Sequence, residues 1–457
     1  MSRTRAGSRA WLLCLSALFV VLVTVPGALA QTSPSRPVPG TTTDERLDEA
    51  AAALTVWDAG DVRGNITLPD RGLFGAQVSW KSSDPWTVTR TGEVHRPAHG
   101  EHPAAVTLTA TVKLTHRQTT RLFNLTVRPL PKKRPLKGYF FPYFAGEKYA
   151  DGEQVYFAAS RGNDPLHWDD LNGDTPVLTS TLGDKGVRDP FIIRSPEGDR
   201  FYLLATDLKI YGGQGWDHAT RHGSKYIEVW ESTDLVHWSK QRHVRVSGDT
   251  AGMTWAPEAT YDKRLGAYVV YSASNLYSAD DPDHKGTVNT RLMYATTRDF
   301  RSFSEPRVWE DTGENSIDAT VVRDGDYYYR FRTDDGVVGS CTSDIVLERS
   351  KSLTAVDLPD TRPRNWQLVD DCIRTDFGLG WLEGPTAFKS NTEDRWYVFM
   401  DESSGRGYIP FTTRELANPS WSIPDNYDLP ARSRHGTVLP VTKAELNGVR
   451  AAFPPAT

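Results

Sequence analysis

Basic residues are nowhere massed. Lys and Arg number 53 against 58 Asp and Glu, for a formal charge of −5 over 457 residues, and no phosphate-tracking block occurs outside one short linker. Nucleic acid is therefore a poor partner. Long helix is disfavoured too: 36 Gly and 29 Pro punctuate the chain, while aromatic residues reach 11%, a composition that suits strands. Cysteine is sparse, at three, and Cys14 falls in a segment with the marks of a secretory signal. Arg3, Arg5 and Arg9 precede the apolar run Trp11–Val25, and Pro26 and the small-residue stretch Ala28-Leu29-Ala30 follow it. The run is shorter than the roughly 18 apolar residues a membrane span needs. Residues 1–30 are therefore predicted to be removed after Ala30, leaving a secreted protein with no membrane anchor. In an oxidising compartment Cys341 and Cys372 are candidates for a single disulfide; spacing alone does not separate that from two unrelated buried thiols.

What is present reads as an all-β chain of more than one folded unit. Residues 31–46, rich in Ser, Thr and Pro, are predicted to form a flexible leader. Residues 47–130 carry short alternating segments such as AQVSWKSSD, AAVTLTATVKL and RLFNLTVRPL, the pattern of a small β-sandwich with Trp80 as a core plug. Residues 131–137 make a stiff, basic, Pro-bearing linker.

From residue 138 to 457 a repeat dominates. Strand–turn segments start at Val155, Ile227, Leu292, Ile345 and Tyr408, at intervals of roughly 50–70 residues that suit one four-stranded sheet each. Five such sheets arranged radially make a five-bladed β-propeller. A second repeat aligns Arg188-Asp189-Pro190, Trp255-Ala256-Pro257, Ile317-Asp318-Ala319, Glu383-Gly384-Pro385 and His435-Gly436-Thr437. In a propeller these innermost strands converge on the axis, so Asp189, Asp318 and Glu383 are predicted to meet around His435. The last copy, RHGTVLPVT, is predicted to pair with the N-terminal GYFFPYF and close the ring. Three acids at an axis repel one another and lose hydration, which points to function. Glycoside hydrolysis uses such a set: one carboxylic acid protonates the leaving oxygen, one carboxylate activates water, and a third raises the pKa of the acid.

The motifs RDPFII, SIDATVV and LEGPTAF, in that order with RHGTV at the end, resemble glycoside hydrolase family 43, and residues 47–130 resemble the reduced immunoglobulin-like modules preceding some bacterial glycosidases. The resemblance implies a five-bladed propeller of inverting enzymes acting on arabinose- or xylose-containing glycans. It makes Asp189 the general base, Asp318 the residue that tunes pKa and orients, and Glu383 the general acid. It also implies that His435 supports a Ca²⁺ ion at the axis, against the reading of a hydrogen-bonded imidazole beside water alone; no organic cofactor is expected. Trp255 and Trp381 are candidate sugar platforms or inter-blade fillers, and Arg332 a candidate fork to sugar hydroxyls or an ion-pair partner of a nearby Asp. Within the family the segments around RDPFIIRSPEGDRFYLLATDL and TWAPEATYD look most like α-L-arabinofuranosidases, with β-xylosidase next. A binding propeller without turnover is the rival from another class. Asn163-Asp164-Pro165, a triplet that fructan-cleaving propellers use for catalysis, aligns with Thr233-Asp234-Leu235 in an outer turn and is read as structural.

Overall fold

The computed structural model describes residues 42–455 apart from 339, 340 and 404, and the side chains of 335–340, 342 and 343 are also left undescribed. The signal segment 1–30 with its cleavage point, and most of the expected leader, lie outside the described residues. The last part of that leader, however, is ordered. Thr42 and Glu45 form a capping box: the Glu45 amide donates to Thr42 Oγ1 (3.2 Å) and the Thr42 amide to Glu45 Oε2 (2.7 Å). This starts α1 (Thr43–Ala53), whose Leu47, Ala50 and Ala51 are buried.

The helix lies on a three-stranded antiparallel sheet, β1 (Gln77–Ser82), β2 (Ala104–Leu114) and β3 (Arg117–Val127). Strict alternation along β2 sends Val106, Leu108, Ala110 and Val112 to one buried face. That face is covered by α1 and by irregular chain around Val56, Val62, Ile66 and Val88. The second layer of the expected sandwich is thus reduced to a helix and loops. Trp80 packs on Phe123 at 5.4 Å and donates its indole N–H to the Pro69 carbonyl, a core role.

Five sheets follow. The first holds β4 (Leu136–Tyr143), β5 (Tyr156–Arg161) and β6 (Asp164–Asp170). Blade II is β7 (Val187–Arg194), β8 (Phe201–Asp207), β9 (Tyr226–Ser232) and β10 (Arg242–Arg245), with helix α2 (Trp216–His222) in the β8–β9 connection. Blade III is β11 (Trp255–Asp262), β12 (Ala267–Asn275), β13 (Thr290–Thr297) and β14 (Arg307–Glu310). Blade IV is β15 (Ser316–Asp324), β16 (Tyr327–Val338), β17 (Cys341–Ser350) and β18 (Gln367–Asp370), followed by the short helix α3 (Ile373–Asp376). Blade V is β19 (Leu382–Lys389), β20 (Trp396–Glu402) and β21 (Gly407–Thr413), three strands among the described residues, with Ser422 bridging Thr412 where a fourth would run. Finally β22 (Leu439–Thr442) pairs with β4, so the C-terminal strand closes blade I and joins the ends of the ring. Helix α4 (Lys443–Ala452) then packs Leu446 and Val449 into the core between blades I and II.

Each seam between neighbouring blades has its own apolar filling. Phe157, Leu203 and Trp230 lie between I and II, Tyr202, Val229 and Tyr268 between II and III, and Phe141, Phe388 and Phe399 between V and I. The N-terminal unit docks on the β7–β8 and β11–β12 turns: Arg96, with a side chain 1% exposed, donates to Asp199 at 2.7 Å, and Asn65 donates to the Gly266 carbonyl. These turns lie at the far ends of β7 and β11 from Asp189 and Ala256. The module therefore sits on the face opposite the axial acids.

Candidate active site

The inner strands of blades II to V share one irregularity. Pairing shifts by one residue between Arg188 and Phe191, Trp255 and Glu258, Ile317 and Thr320, and Glu383 and Thr386. Each shift is a β-bulge, and its special residue has positive φ: Asp189 (50°), Ala256 (48°), Asp318 (54°) and Gly384 (55°). Such a conformation costs a non-glycine residue on the order of 1–3 kcal/mol and concentrates at functional sites. The bulges re-aim the side chains of the strand starts toward the axis. Gly384 also has no room for a side chain, since a Cβ there would lie 2.7 Å from His435 Cγ. In the fifth copy Gly436 bridges Tyr143 in the same register as β22, without a bulge.

Asp189, Asp318 and His435 are brought together. His435 Nδ1 lies 3.4 Å from Asp189 Oδ1 and 3.9 Å from Asp318 Oδ1. Asp189 Oδ2 accepts from Thr206 Oγ1 at 2.7 Å, and that hydroxyl accepts from the Ala256 amide, which fixes its orientation. Asp318 Oδ2 accepts from the Gly384 amide at 3.1 Å, tying it to the strand that carries Glu383. Glu383 Oε1 accepts from Arg434 Nη2 at 2.6 Å, and the same guanidinium is held by the fully buried Asp401.

The environments drive the acids apart. Burial opposes the charge of Asp189, but His435, Arg188 and the Thr206 hydroxyl outweigh it and hold the carboxyl below the usual aspartate range. Glu383 is pushed the other way, to about 7, by burial and then by Asp318 and Asp401, against Arg434 and His435. Asp318 rises to about 6 through burial and Asp189, with His435 opposing. Burial would lower His435, yet Asp318, Asp189 and Glu258 outweigh it and raise it to about 9, so the imidazole is a cation among acids. A carboxyl that stays ionised beside one whose pKa is raised to about 7 is the division of labour acid–base catalysis needs.

Several members of this site were not singled out in the sequence. Glu258, 2% exposed and raised to about 8 by burial, sits two residues past the blade III bulge; its Oε1 has no hydrogen-bond partner. Arg434, Asp401 and Thr206 were also missed, although Arg434 adjoins His435. Trp216 on α2 is the fifth. It meets Trp255 edge-on at 5.9 Å and lies 5.0 Å from the Arg188 guanidinium, which Phe144 covers at 4.5 Å. Trp255 thus joins an aromatic wall on the Asp189 side. Trp381, 60% exposed, precedes Glu383 by two residues.

Arg332 is a correction. It is 1% exposed and paired with Glu310 Oε1 at 2.9 Å and with Glu348, in a cluster shared with Arg330 between blades III and IV. Its alternation along β16 turns it into that seam, where no sugar reaches it. The calcium reading of His435 is also poorly matched. Ca²⁺ takes six to eight oxygens, whereas Nδ1 faces Asp189 and Asp318, and among Asp189, Asp318, Glu383 and Glu258 the one buried orphan acceptor is Glu258 Oε1. The protein oxygens do not build a calcium shell there, and no step below uses one. Cys341 and Cys372 are joined as a disulfide, with Cα atoms 5.3 Å apart. Asp164 lies where the repeat put it: Asp164 Oδ2 pairs with His167 Nδ1 at 2.8 Å, as Asp234 Oδ2 does with His237 Nδ1 at 2.7 Å, in equivalent outer turns.

A propeller with opposed carboxyls around an axial imidazole carries the groups of an acid–base hydrolase. A family model described as a probable glycosyl hydrolase domain matches residues 134–447, and one described as an atrophied bacterial Ig domain matches residues 47–130. The chain belongs to this glycoside hydrolase family, related to family 43. An α-L-arabinofuranosidase of Bifidobacterium longum subsp. longum is 34% identical over 427 residues, which is 83% of this chain and 39% of the relative; the chain therefore spans well under half of that protein's length. Among solved structures, the α-L-arabinanase of Cellvibrio cellulosa complexed with arabinohexaose is 14% identical, with 64% of this chain and 93% of that one covered and a TM-score of 0.42. An α-L-arabinofuranosidase from Lactobacillus brevis is 19% identical, covers 52% and 72%, and has a TM-score of 0.35.

Proposed function

We propose that the protein is a secreted glycoside hydrolase that releases terminal pentose residues, foremost α-L-arabinofuranosyl, from plant cell-wall polysaccharides or oligosaccharides with inversion of configuration. The observation that carries this reading is the convergence of Asp189, Asp318 and Glu383 around His435 on bulged inner strands, with Glu383 raised to about 7 and Asp189 held below the usual aspartate range. The arabinose assignment draws on the 34% identical arabinofuranosidase. Secretion rests on the arginine-led apolar segment at the N-terminus; among the described residues no helix is long and apolar enough to cross a membrane.

In the proposed reaction Glu383 gives its proton to the glycosidic oxygen as the bond to the anomeric carbon breaks. Asp189, aligned by Thr206, takes a proton from the water that attacks that carbon from the opposite side. The turnover ends with Glu383 ionised and Asp189 protonated, and exchange with solvent restores both. Arg434 steadies the Glu383 carboxylate once its proton has gone. Asp318 keeps Glu383 protonated beforehand and, through the Gly384 amide, holds its strand. Trp216 and Trp255, packed beside Arg188, would stack on the pentose, and exposed Trp381, two residues before the acid, would meet the leaving group.

The test is a panel of aryl α-L-arabinofuranosides and β-D-xylosides with arabinan, arabinoxylan and xylo-oligosaccharides, products followed by NMR. Arabinose released first as the β-anomer is expected. Preferential xylose release would make the enzyme a β-xylosidase, and no release from any substrate would leave a binding propeller.

A further inference from the structure

Away from the axis, Asp207 at the end of β8, Glu228 in β9 and His243 in β10 come together. Register dictates this. Ala205, Glu228 and His243 are successive cross-strand neighbours and share one face of blade II, and Asp207 lies two residues beyond Ala205 on that face. It is the face turned to blade I, where Leu203, Ala205 and Trp230 enter the seam.

One ligand atom from each of the three residues lies within 4.8 Å of the others. Asp207 is 2% exposed and Glu228 0%, so two carboxylates stand together out of water, which is costly unless a cation joins them. The outer oxygen of each is already fixed by a protein donor. The Asp184 amide donates to Asp207 Oδ1 at 2.8 Å, and Gln241 Nε2 donates to Glu228 Oε2 at 2.6 Å. Gln241 is itself anchored, donating to Ser180 Oγ and accepting from the Thr181 amide, each at 2.8 Å. Ser224 also hydrogen-bonds the Asp207 carboxylate. Asp207 Oδ2 and Glu228 Oε1 face His243 Nδ1, at 3.9 and 2.5 Å. Inner atoms that converge while outer atoms are held by surrounding donors is the build of a metal site. The quarter-exposed His243 side chain gives access from solvent, and a cavity of 240 Å³ lies nearby, lined by Asp184 and Leu208 with His218 and His222.

We propose that Asp207, Glu228 and His243 bind one divalent transition-metal ion of the Zn²⁺ class, with water completing the coordination. One imidazole nitrogen and two carboxylate oxygens suit such an ion better than Ca²⁺ or Mg²⁺, which favour oxygen alone. On binding, any proton on Nδ1 leaves to solvent, and the contact between Nδ1 and Glu228 Oε1 gives way to a bond from each to the metal. The ion would clamp the loop 180–186, which runs into β7 and Asp189, against β8 and β9. Thr206, which orients Asp189, is the immediate neighbour of Asp207, so the ion would rigidify the strand that holds the base.

The test uses the full chain stripped with chelator and titrated with ZnCl₂ by calorimetry, with thermal unfolding in parallel. One equivalent is expected to bind and to raise Tm. His243→Ala is expected to weaken binding at least about 100-fold and to abolish the Tm shift. A His218→Ala/His222→Ala double variant is expected to bind as the parent does. Absence of uptake by the parent chain would overturn the assignment. So would uptake that survives His243→Ala or disappears in the double variant.

Discussion

Replacing Asp318 by Asn removes a negative charge beside Glu383 while leaving an oxygen to accept from the Gly384 amide. Glu383 stands at about 7 against an ordinary 4.5, and the causes rank as burial first, then Asp318, then Asp401. Burial outranks Asp318, so the charge's removal should lower the acid by on the order of one pH unit, about 1.4 kcal/mol. The sign follows from the charge. Ionised Asp318 disfavours ionised Glu383, so its loss lets Glu383 give up its proton at lower pH. The alkaline limb of kcat/KM, which reports the acid in the free enzyme, should move from near pH 7 to near pH 6. In the parent, Asp318 itself titrates near 6, so the limb belongs to the pair; in the variant it should become a single ionisation. The assay is kcat/KM on an aryl α-L-arabinofuranoside across pH at constant ionic strength. A limb that stays in place or moves to higher pH would refute the electrostatic role.

Arg434→Gln should shift the same limb upward, because the guanidinium favours ionised Glu383, and it should lower Tm by leaving buried Asp401 unpaired, a loss of about 3–5 kcal/mol. Asp164→Asn should change kcat/KM by less than about twofold, its carboxylate being committed to the His167 turn, while Asp189→Asn costs at least about 100-fold. Replacing both Cys341 and Cys372 by Ser should reduce stability by about 3.5 kcal/mol in urea unfolding, the chain-entropy value for a bridge between positions 31 apart. Removing residues 435–457 should prevent folding, since it takes away the strand that pairs with β4.

Much of this was legible because the propeller repeats its chemistry. The five strand–turn segments that recur in the sequence are the third strands of the five blades, and the triplets containing Asp189, Ala256, Asp318 and Gly384 fall on the four bulges in register. Side chains whose roles depend on cross-strand partners were harder to read. Arg332 leaves a sugar fork and a local ion pair both open in the sequence, because its actual partners, Glu310 and Glu348, come from β14 and β17 and only the folded seam brings them near. Glu258 escaped notice because an acid two residues beyond a bulge resembles any strand residue until its burial is known. Helices α1 and α4 carry capping boxes, Thr42 with Glu45 and Thr442 with Glu445, but the Ser- and Pro-rich composition before Thr42 masks the first; α2 and α3 have no such cap. Trp216 lies in a glycine-rich connection with no repeat to align, so only its packing on Trp255 and Arg188 reveals it.

In the proposed reaction Glu383 is the proton donor to the leaving group. The most direct measurement is kcat/KM of Glu383→Gln on two substrates, an arabino-oligosaccharide and 4-nitrophenyl α-L-arabinofuranoside. Sugar alkoxide needs a proton to depart, whereas nitrophenolate leaves unaided. The oligosaccharide rate should fall by on the order of 10³ and the aryl rate by less than about tenfold. Equal losses on both substrates, or an oligosaccharide rate close to that of the parent, would contradict that role.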